Sequence, residues 1–351
     1  MNVRKKDVGD KFSRVEMVHG YNHYIALDWS LDNATLARLS PSSSTPKVIR
    51  LNSNVKEIKD WAQKLRGRSI LSIEETTGSH WLYVELKDYF SKILICDPYR
   101  NRLLSEGAKN DKADAIKLCQ LLRSGMLKEV YHSVDEDYHL RKLVSYYEDW
   151  IKFGVRFQNQ KSALYRSLGL QYKKEQLKAT TAHLQFIDKY QHEALELYRE
   201  GKKAYEQLFK TIRRKNHHIS RLTSIAGISD ISAVTIYSIV IDAGRFANKY
   251  NYWAYCGLVF QEKESGNRSY GRRRPRYNRK LKAVYKSAAV AAIGGKNDIR
   301  EYYDHLVVDA GLSPWDARHA VARYIAKVSY AMLKNGTAYQ PYQWRESLTK
   351  K

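Results

Sequence analysis

One stretch, Tyr24-Ile-Ala-Leu-Asp-Trp-Ser30, limits the folds open to this chain more than any other. It is a short apolar, strand-like run that ends by presenting one carboxylate, Asp28. An unpaired charge in an apolar sheet is costly or becomes neutral. Three further acids follow at intervals suited to meeting it: Glu75 in Ile-Glu-Glu-Thr-Thr-Gly78, then Asp111 and Asp114 in Lys-Asn-Asp-Lys-Ala-Asp-Ala115. Four acids converging on divalent cations would resolve the burial problem and create an active site. Glu74 competes with Glu75, because strand alternation sends the two side chains to opposite faces and only one can serve as a ligand.

The surrounding pattern predicts a mixed, helix-covered sheet over residues 21–132. Strands are expected at 23–29, 34–40, 46–51, 69–73 and 92–96, and helices at about 54–66, 79–89 and 111–123. Three strands followed by alternating helices and strands match a ribonuclease-H-like order. Residues 1–20 read as a basic arm. Residues 133–221 carry two apolar series at helical spacing. One is Leu140, Leu143, Tyr147, Trp150, Gly154, Phe157, Leu164 and Leu168; the other is Leu184, Ile187, Ala194, Leu197, Gly201, Leu208 and Ile212. They predict a long helical hairpin, or a coiled coil with another subunit. Residues 222–345 form a third, mostly helical unit. In it, Ser224-Ile-Ala-Gly-Ile-Ser229 followed by Ala233-Val-Thr-Ile-Tyr237 resembles a helix-hairpin-helix. A loop is expected from Gly257 to about Gly271, and helices at 280–292 and 315–334.

Asp111 and Asp114, three residues apart at a helix start, project from one face that strand-end Asp28 and Glu75 could approach. Ligation by oxygen alone suits Mg²⁺, with Mn²⁺ as the alternative. Two such ions about 4 Å apart stabilise both the attacking and the leaving oxygen of a phosphodiester displacement. Taken singly, Asp111 and Asp114 also suit helix capping, and Asp28 a strand-end turn.

The chain has 351 residues and a formal net charge of +24, which points to a polyanion and above all to nucleic acid. The charge is clustered: seven of the twelve residues from Gly271 to Lys282 are basic, namely Arg272, Arg273, Arg274, Arg276, Arg279, Lys280 and Lys282. Such a run clamps phosphates, although a solvated charge run has the same composition. Among 27 tyrosines, some can stack on unpaired bases. The three cysteines, Cys96, Cys119 and Cys256, show no ligand or disulfide spacing. No signal-peptide pattern or apolar run of membrane length is present, so a cytoplasmic protein without a membrane partner is expected.

The ordered series resembles the DEDD transposases of the insertion-sequence-110 family, relatives of the Piv invertase and of bridge-RNA-guided recombinases. Leu27-Asp28, Glu75-Thr-Thr-Gly78 and Asn110-Asp-Lys-Ala-Asp114 resemble its four-acid set in a RuvC-like domain. Thr223-Ser-Ile-Ala-Gly-Ile228, Tyr252-Trp-Ala-Tyr-Cys-Gly-Leu258 and Glu264-Ser-Gly266 resemble its C-terminal transposase domain. The resemblance spans about Tyr24 to Pro341. It implies that Asp28, Glu75, Asp111 and Asp114 bind Mg²⁺ and that Ser265 attacks a DNA phosphodiester to form a phosphoserine. It further implies donor and target DNA, a structured noncoding guide RNA, and dimers or tetramers in which the acids of one subunit meet the serine of another. The sequence departs from the family after Ser265, with Arg274-Pro-Arg-Tyr-Asn278 in place of a Lys-Arg/Gln-Gly-Asn run, and Ser269 is a second candidate nucleophile. The expected function is therefore a metal-dependent serine recombinase. A RuvC-like nuclease using water and a non-catalytic nucleic-acid-binding protein are the alternatives.

Overall fold

A computed structural model describes residues 20–98, 110–132, 135–172, 177, 181–266 and 268–345, without the side chains of residues 135 and 263–265. The expected basic arm, apart from Gly20, lies outside these residues. The chain divides into two compact units, Met1–Ser133 and Val134–Lys351. The helical series of residues 133–221 is part of the second unit.

In the first unit, β1 (His23–Trp29), β2 (Asn33–Leu39), β3 (Lys47–Asn52), β4 (Ser69–Glu74) and β5 (Lys92–Cys96) form one sheet in the order β3-β2-β1-β4-β5. The β1–β2 and β2–β3 pairs are antiparallel, and β1–β4 and β4–β5 are parallel. The central strands alternate between two apolar faces, as a sheet covered on both sides requires. Ile25, Leu27, Leu71 and Ile73 pack under α1 (Val55–Ala62) and α2 (Ser79–Leu86). Tyr24, Ala26, Ile70 and Cys96 pack under α3 (Asp111–Arg123), where Ala115, Cys119 and Leu122 complete the layer. The Cys119 thiol donates to the Tyr24 carbonyl at 3.2 Å, fastening α3 to β1.

In the second unit, α4 (Asp135–Ser167) and α5 (Ala182–Lys215) run antiparallel. Their contact is set by two glycines. A Cβ on Gly154 would enter the Tyr198 ring, and one on Gly201 would lie 2.5 Å from Trp150. The Trp150 indole donates to the Tyr198 carbonyl at 3.1 Å. The inward line of α5 is Leu195, Tyr198 and Phe209, all buried. The apolar spacing predicts Ile187, Leu197 and Leu208 on that line, and they are exposed. Two apolar lines run side by side along α5, and close approach at the glycines selects the aromatic one.

Helices α6 (His217–Leu222), α7 (Asp230–Val240), α8 (Lys249–Tyr255), α9 (Arg279–Ile293), α10 (Asp298–Val308) and α11 (Pro314–Asn335) enclose one core. Inside it the Tyr252 and Tyr285 hydroxyls share a hydrogen bond of 2.5 Å, and Tyr252 stacks on Tyr330. The turn between α6 and α7 holds Gly227 at φ +86°, so close to the α9 backbone that a Cβ would lie 2.9 Å from the Ala292 nitrogen. A left-handed turn pressed against a helix admits only glycine. A strap at residues 339–344 ties to the start of α10: Tyr339 donates to the Asp298 carboxylate, and the Trp344 indole donates to the Asp298 carbonyl at 3.2 Å.

The loop expected from Gly257 to Gly271 contains a two-stranded ribbon, β6 (Gln261–Ser265) paired antiparallel with β7 (Arg268–Arg273). Every β7 residue is exposed. With no buried face, β7 has no apolar alternation, the signal by which strands are read.

Candidate functional site

The acids of the first unit are positioned by the sheet and by one helix cap. Asp28 lies on the Tyr24–Ala26 face of β1, the face covered by α3. Asn110 caps α3 by accepting from the Ala113 N–H at 2.8 Å, which sets Asp111 and Asp114 in the first turn. The capping duty thus falls to Asn110. Asp28 is half-buried, and its carboxyl is pushed up from 3.8 to about 6. Burial is the largest cause, followed by the charges of Asp111, Asp114 and Glu74. Each of these removes stability from the ionised form, the first by desolvation and the rest by repulsion.

Three of the four predicted acids, Asp28, Asp111 and Asp114, are therefore within each other's electrostatic reach. Parallel register explains the fourth charge. Leu27 pairs with Ile73, and one step further Glu74 comes beside Asp28 on the α3 face. Glu74 itself pairs with Cys96, a residue of the same face. Glu75 lies one residue past the end of β4, exposed, with its N–H donating to the Cys96 carbonyl at 3.0 Å. Among the described residues no three His, Cys, Asp or Glu side chains form a group that could hold a metal ion as they stand. The donors match Mg²⁺ in kind, being carboxylates only, and their mutual repulsion is what a cation would relieve.

A histidine pair in this unit escaped the sequence reading. His80, buried in the first turn of α2, and His132 share a hydrogen bond at 2.9 Å between Nδ1 and Nε2. Two histidines 52 residues apart carry no local signal that would join them.

In the second unit, Ser265 ends β6 and pairs with Arg268, so it stands at the turn of the ribbon; Ser269 pairs with Glu264. The basic run is less uniform than its composition suggests. Lys280 forms an ion pair with Glu148 of α4 at 2.8 Å, and Arg272 with Glu262 at 3.4 Å. Lys282 lies 4.5 Å over the Tyr277 ring, and its hydrogen bond to the hydroxyl at 3.5 Å, followed by its positive charge, lowers the pKa of that phenol. Arg274 stacks on Phe260 at 4.7 Å. Arg273, Arg276 and Arg279 are exposed. The segment thus combines exposed cations with cations anchored to the helical core, a surface suited to a phosphate backbone.

Among the described residues no helix is long and apolar enough to cross a membrane. A search of curated proteins finds no match. Residues 219–304 match the family described as Transposase IS116/IS110/IS902 family. The matched segment begins in α6, takes in the α6–α7 turn and the β6–β7 ribbon, and ends in α10. Residues 219–304 are thus similar to the transposases of the IS116/IS110/IS902 family and support a DNA transposase in general.

Proposed function

We propose that the chain is a metal-dependent serine recombinase that moves an insertion sequence under the guidance of a structured noncoding RNA. The observation that carries this reading is the half-buried Asp28 carboxyl, held near 6 by burial and three surrounding acids. Such a concentration of negative charge at a strand end, in a chain of net charge +24, suits a cation and a nucleic-acid phosphate together. The order β3-β2-β1-β4-β5 with β2 reversed supports a RuvC-like first unit.

In this reading Asp28, Asp111, Asp114 and one of Glu74 and Glu75 hold Mg²⁺ or Mn²⁺. Register favours Glu74, and the family motif favours Glu75. The ion supplies charge stabilisation to the oxygens of the phosphodiester under attack. The Ser265 hydroxyl oxygen bonds to phosphorus as a deoxyribose oxygen leaves with a proton, giving a phosphoserine. Attack by the hydroxyl of another strand then reverses the exchange, restoring a phosphodiester and the free serine. The bond energy is conserved through both steps, so no nucleotide cofactor is required. Arg273, Arg274, Arg276 and Arg279 hold donor and target backbones, and base pairing with the RNA carries sequence choice.

The test uses the native gene with its flanking DNA and scores recombination junctions by amplification. Wild type should yield junctions, and Asp28→Asn and Ser265→Ala should yield none. Junctions from Ser265→Ala would sink the serine step and transfer it to Ser269 or to water. Comparing Glu74→Gln with Glu75→Gln identifies the fourth ligand as the variant that loses junctions.

A further inference from the structure

From Val321 to Met332 every residue of α11 is buried except Arg323, Lys327 and Ala331. A helix so enclosed meets solvent along a line one residue wide, at i, i+4 spacing. Carried toward the helix start, that line passes through half-buried His319 and reaches Trp315, whose ring lies 4.1 Å from His319 and is 63% exposed. The neighbouring helices add cations beside it. Lys249 of α8 lies 5.0 Å over the ring of Tyr250, which is 60% exposed, and Lys286 of α9 is exposed.

The charges act on one another. The Lys327 ammonium is held below its usual range by burial and by Lys249; His319 is lowered by burial and by Lys286, Arg323 and Arg274, against one acid, Asp316. Asp316 is itself engaged by the helix cap Ser313 at 2.6 Å. Lys249, Lys286, Arg323 and Lys327 form no ion pair with any described residue. Surface lysines of a solvated helix are spread and cheaply screened. Cations gathered along a narrow, partly desolvated line without counter-charges weaken the fold unless a polyanion joins them.

We propose that this line of α11, Trp315, His319, Arg323 and Lys327 flanked by Lys249 and Lys286, binds a single strand of DNA, phosphates on the cations and bases on the Trp315 and Tyr250 rings. Cations interleaved with exposed rings are what binding of an unpaired strand requires. A duplex keeps its bases stacked inside and gains nothing from the rings. Trp315 to Lys327 spans twelve residue steps, about 18 Å of helix, which accommodates about five nucleotides at a 3.4 Å rise. None of these residues belongs to the basic run at 271–282, and α11 lies beyond the family match at 219–304. The choice of DNA over RNA rests on the transposase reading.

Fluorescence anisotropy on the full chain tests this with a labelled 12-nucleotide single strand, its duplex, and the RNA of the same sequence. Trp315→Ala, exposed and safe for folding, should weaken single-strand binding about 5-fold or more while duplex binding changes less than about twofold. Arg323→Gln/Lys327→Gln should lower the salt slope for the single strand by about 1.4, and Arg323→Lys/Lys327→Arg should restore it. Unchanged single-strand binding in folded Trp315→Ala, or an equal loss on duplex, overturns the proposal. A larger loss on RNA than on DNA overturns the assignment to DNA. A wild-type chain that binds and recombines DNA while Trp315→Ala binds the single strand normally sinks this inference alone. A wild-type chain that binds no form of DNA sinks the recombinase reading with it.

Discussion

Replacing a helical glycine by alanine ordinarily stabilises a helix by about 1 kcal/mol. Gly154 and Gly201, in the interiors of α4 and α5, should do the opposite. At Gly154 the added methyl would enter the Tyr198 ring, and at Gly201 it would lie 2.5 Å from Trp150 Cζ2. Neither ring can swing aside freely: Tyr198 is buried, and the Trp150 indole is held by the Tyr198 carbonyl at 3.1 Å. Overpacking of this kind costs about 1–3 kcal/mol, and expelling a buried ring forfeits about 1.5–3 kcal/mol. Set against the gain in helix propensity, Gly154→Ala should destabilise the hairpin by about 2 kcal/mol, which corresponds to about 30-fold in an opening equilibrium. Hydrogen exchange read on α4 and α5 peptides of the full chain measures that local opening directly. The double variant Gly154→Ala/Tyr198→Ala supplies the sign test. With the ring gone, alanine should again be better than glycine by about 1 kcal/mol relative to Tyr198→Ala alone. Exchange in Gly154→Ala as slow as in wild type, or slower, would refute the packing argument.

The remaining expectations concern both units. Because the Asp28 carboxyl is raised from 3.8 to about 6, its contribution to stability is fully present below pH 4 and is lost as pH rises through 6. Denaturant midpoints should therefore fall less between pH 4.5 and 7.5 in Asp28→Asn than in wild type; an equal fall in both refutes this. Mg²⁺ should raise the melting temperature of wild type and not of Asp28→Asn, and equal shifts would remove Asp28 from the ligand set. Lys161 is buried on α4, its ammonium paired with Asp188 Oδ1 at 3.3 Å. Asp188→Ala, which strands the lysine, should cost about 3 kcal/mol in chemical denaturation, and Lys161→Met should be neutral or stabilising. Gly227→Ala meets both a φ of +86° and the α9 backbone, and should lower the stability of the second unit by about 2–4 kcal/mol, seen as an earlier calorimetric transition.

Much of the framework was legible in the chain itself because it rests on local physics. Short continuous apolar runs marked β1, β4 and β5, and Asn110 followed by Asp111, with Gly125 beyond, bounded α3. The apolar periodicity of α9 and α11 likewise placed them to within a residue or two. Three acids of the candidate site could be chosen because each sits at an element end, where a carboxylate is either a cap or a ligand. The rest depends on which residues meet across space. Strand alternation separates Glu74 from Glu75 but does not say which faces Asp28; the parallel register of β4 on β1 does. Two apolar lines on α5 look alike until Gly154 and Gly201 admit the rings of Tyr198 and Trp150. The β6–β7 ribbon hides because exposed β7 has no apolar alternation, and α10 goes unpredicted although Asn297 caps it. The narrow cationic line on α11 emerges only once α8 and α9 bury the helix on either side, since burial and the pooling of charge are properties of packed neighbours and not of any one segment.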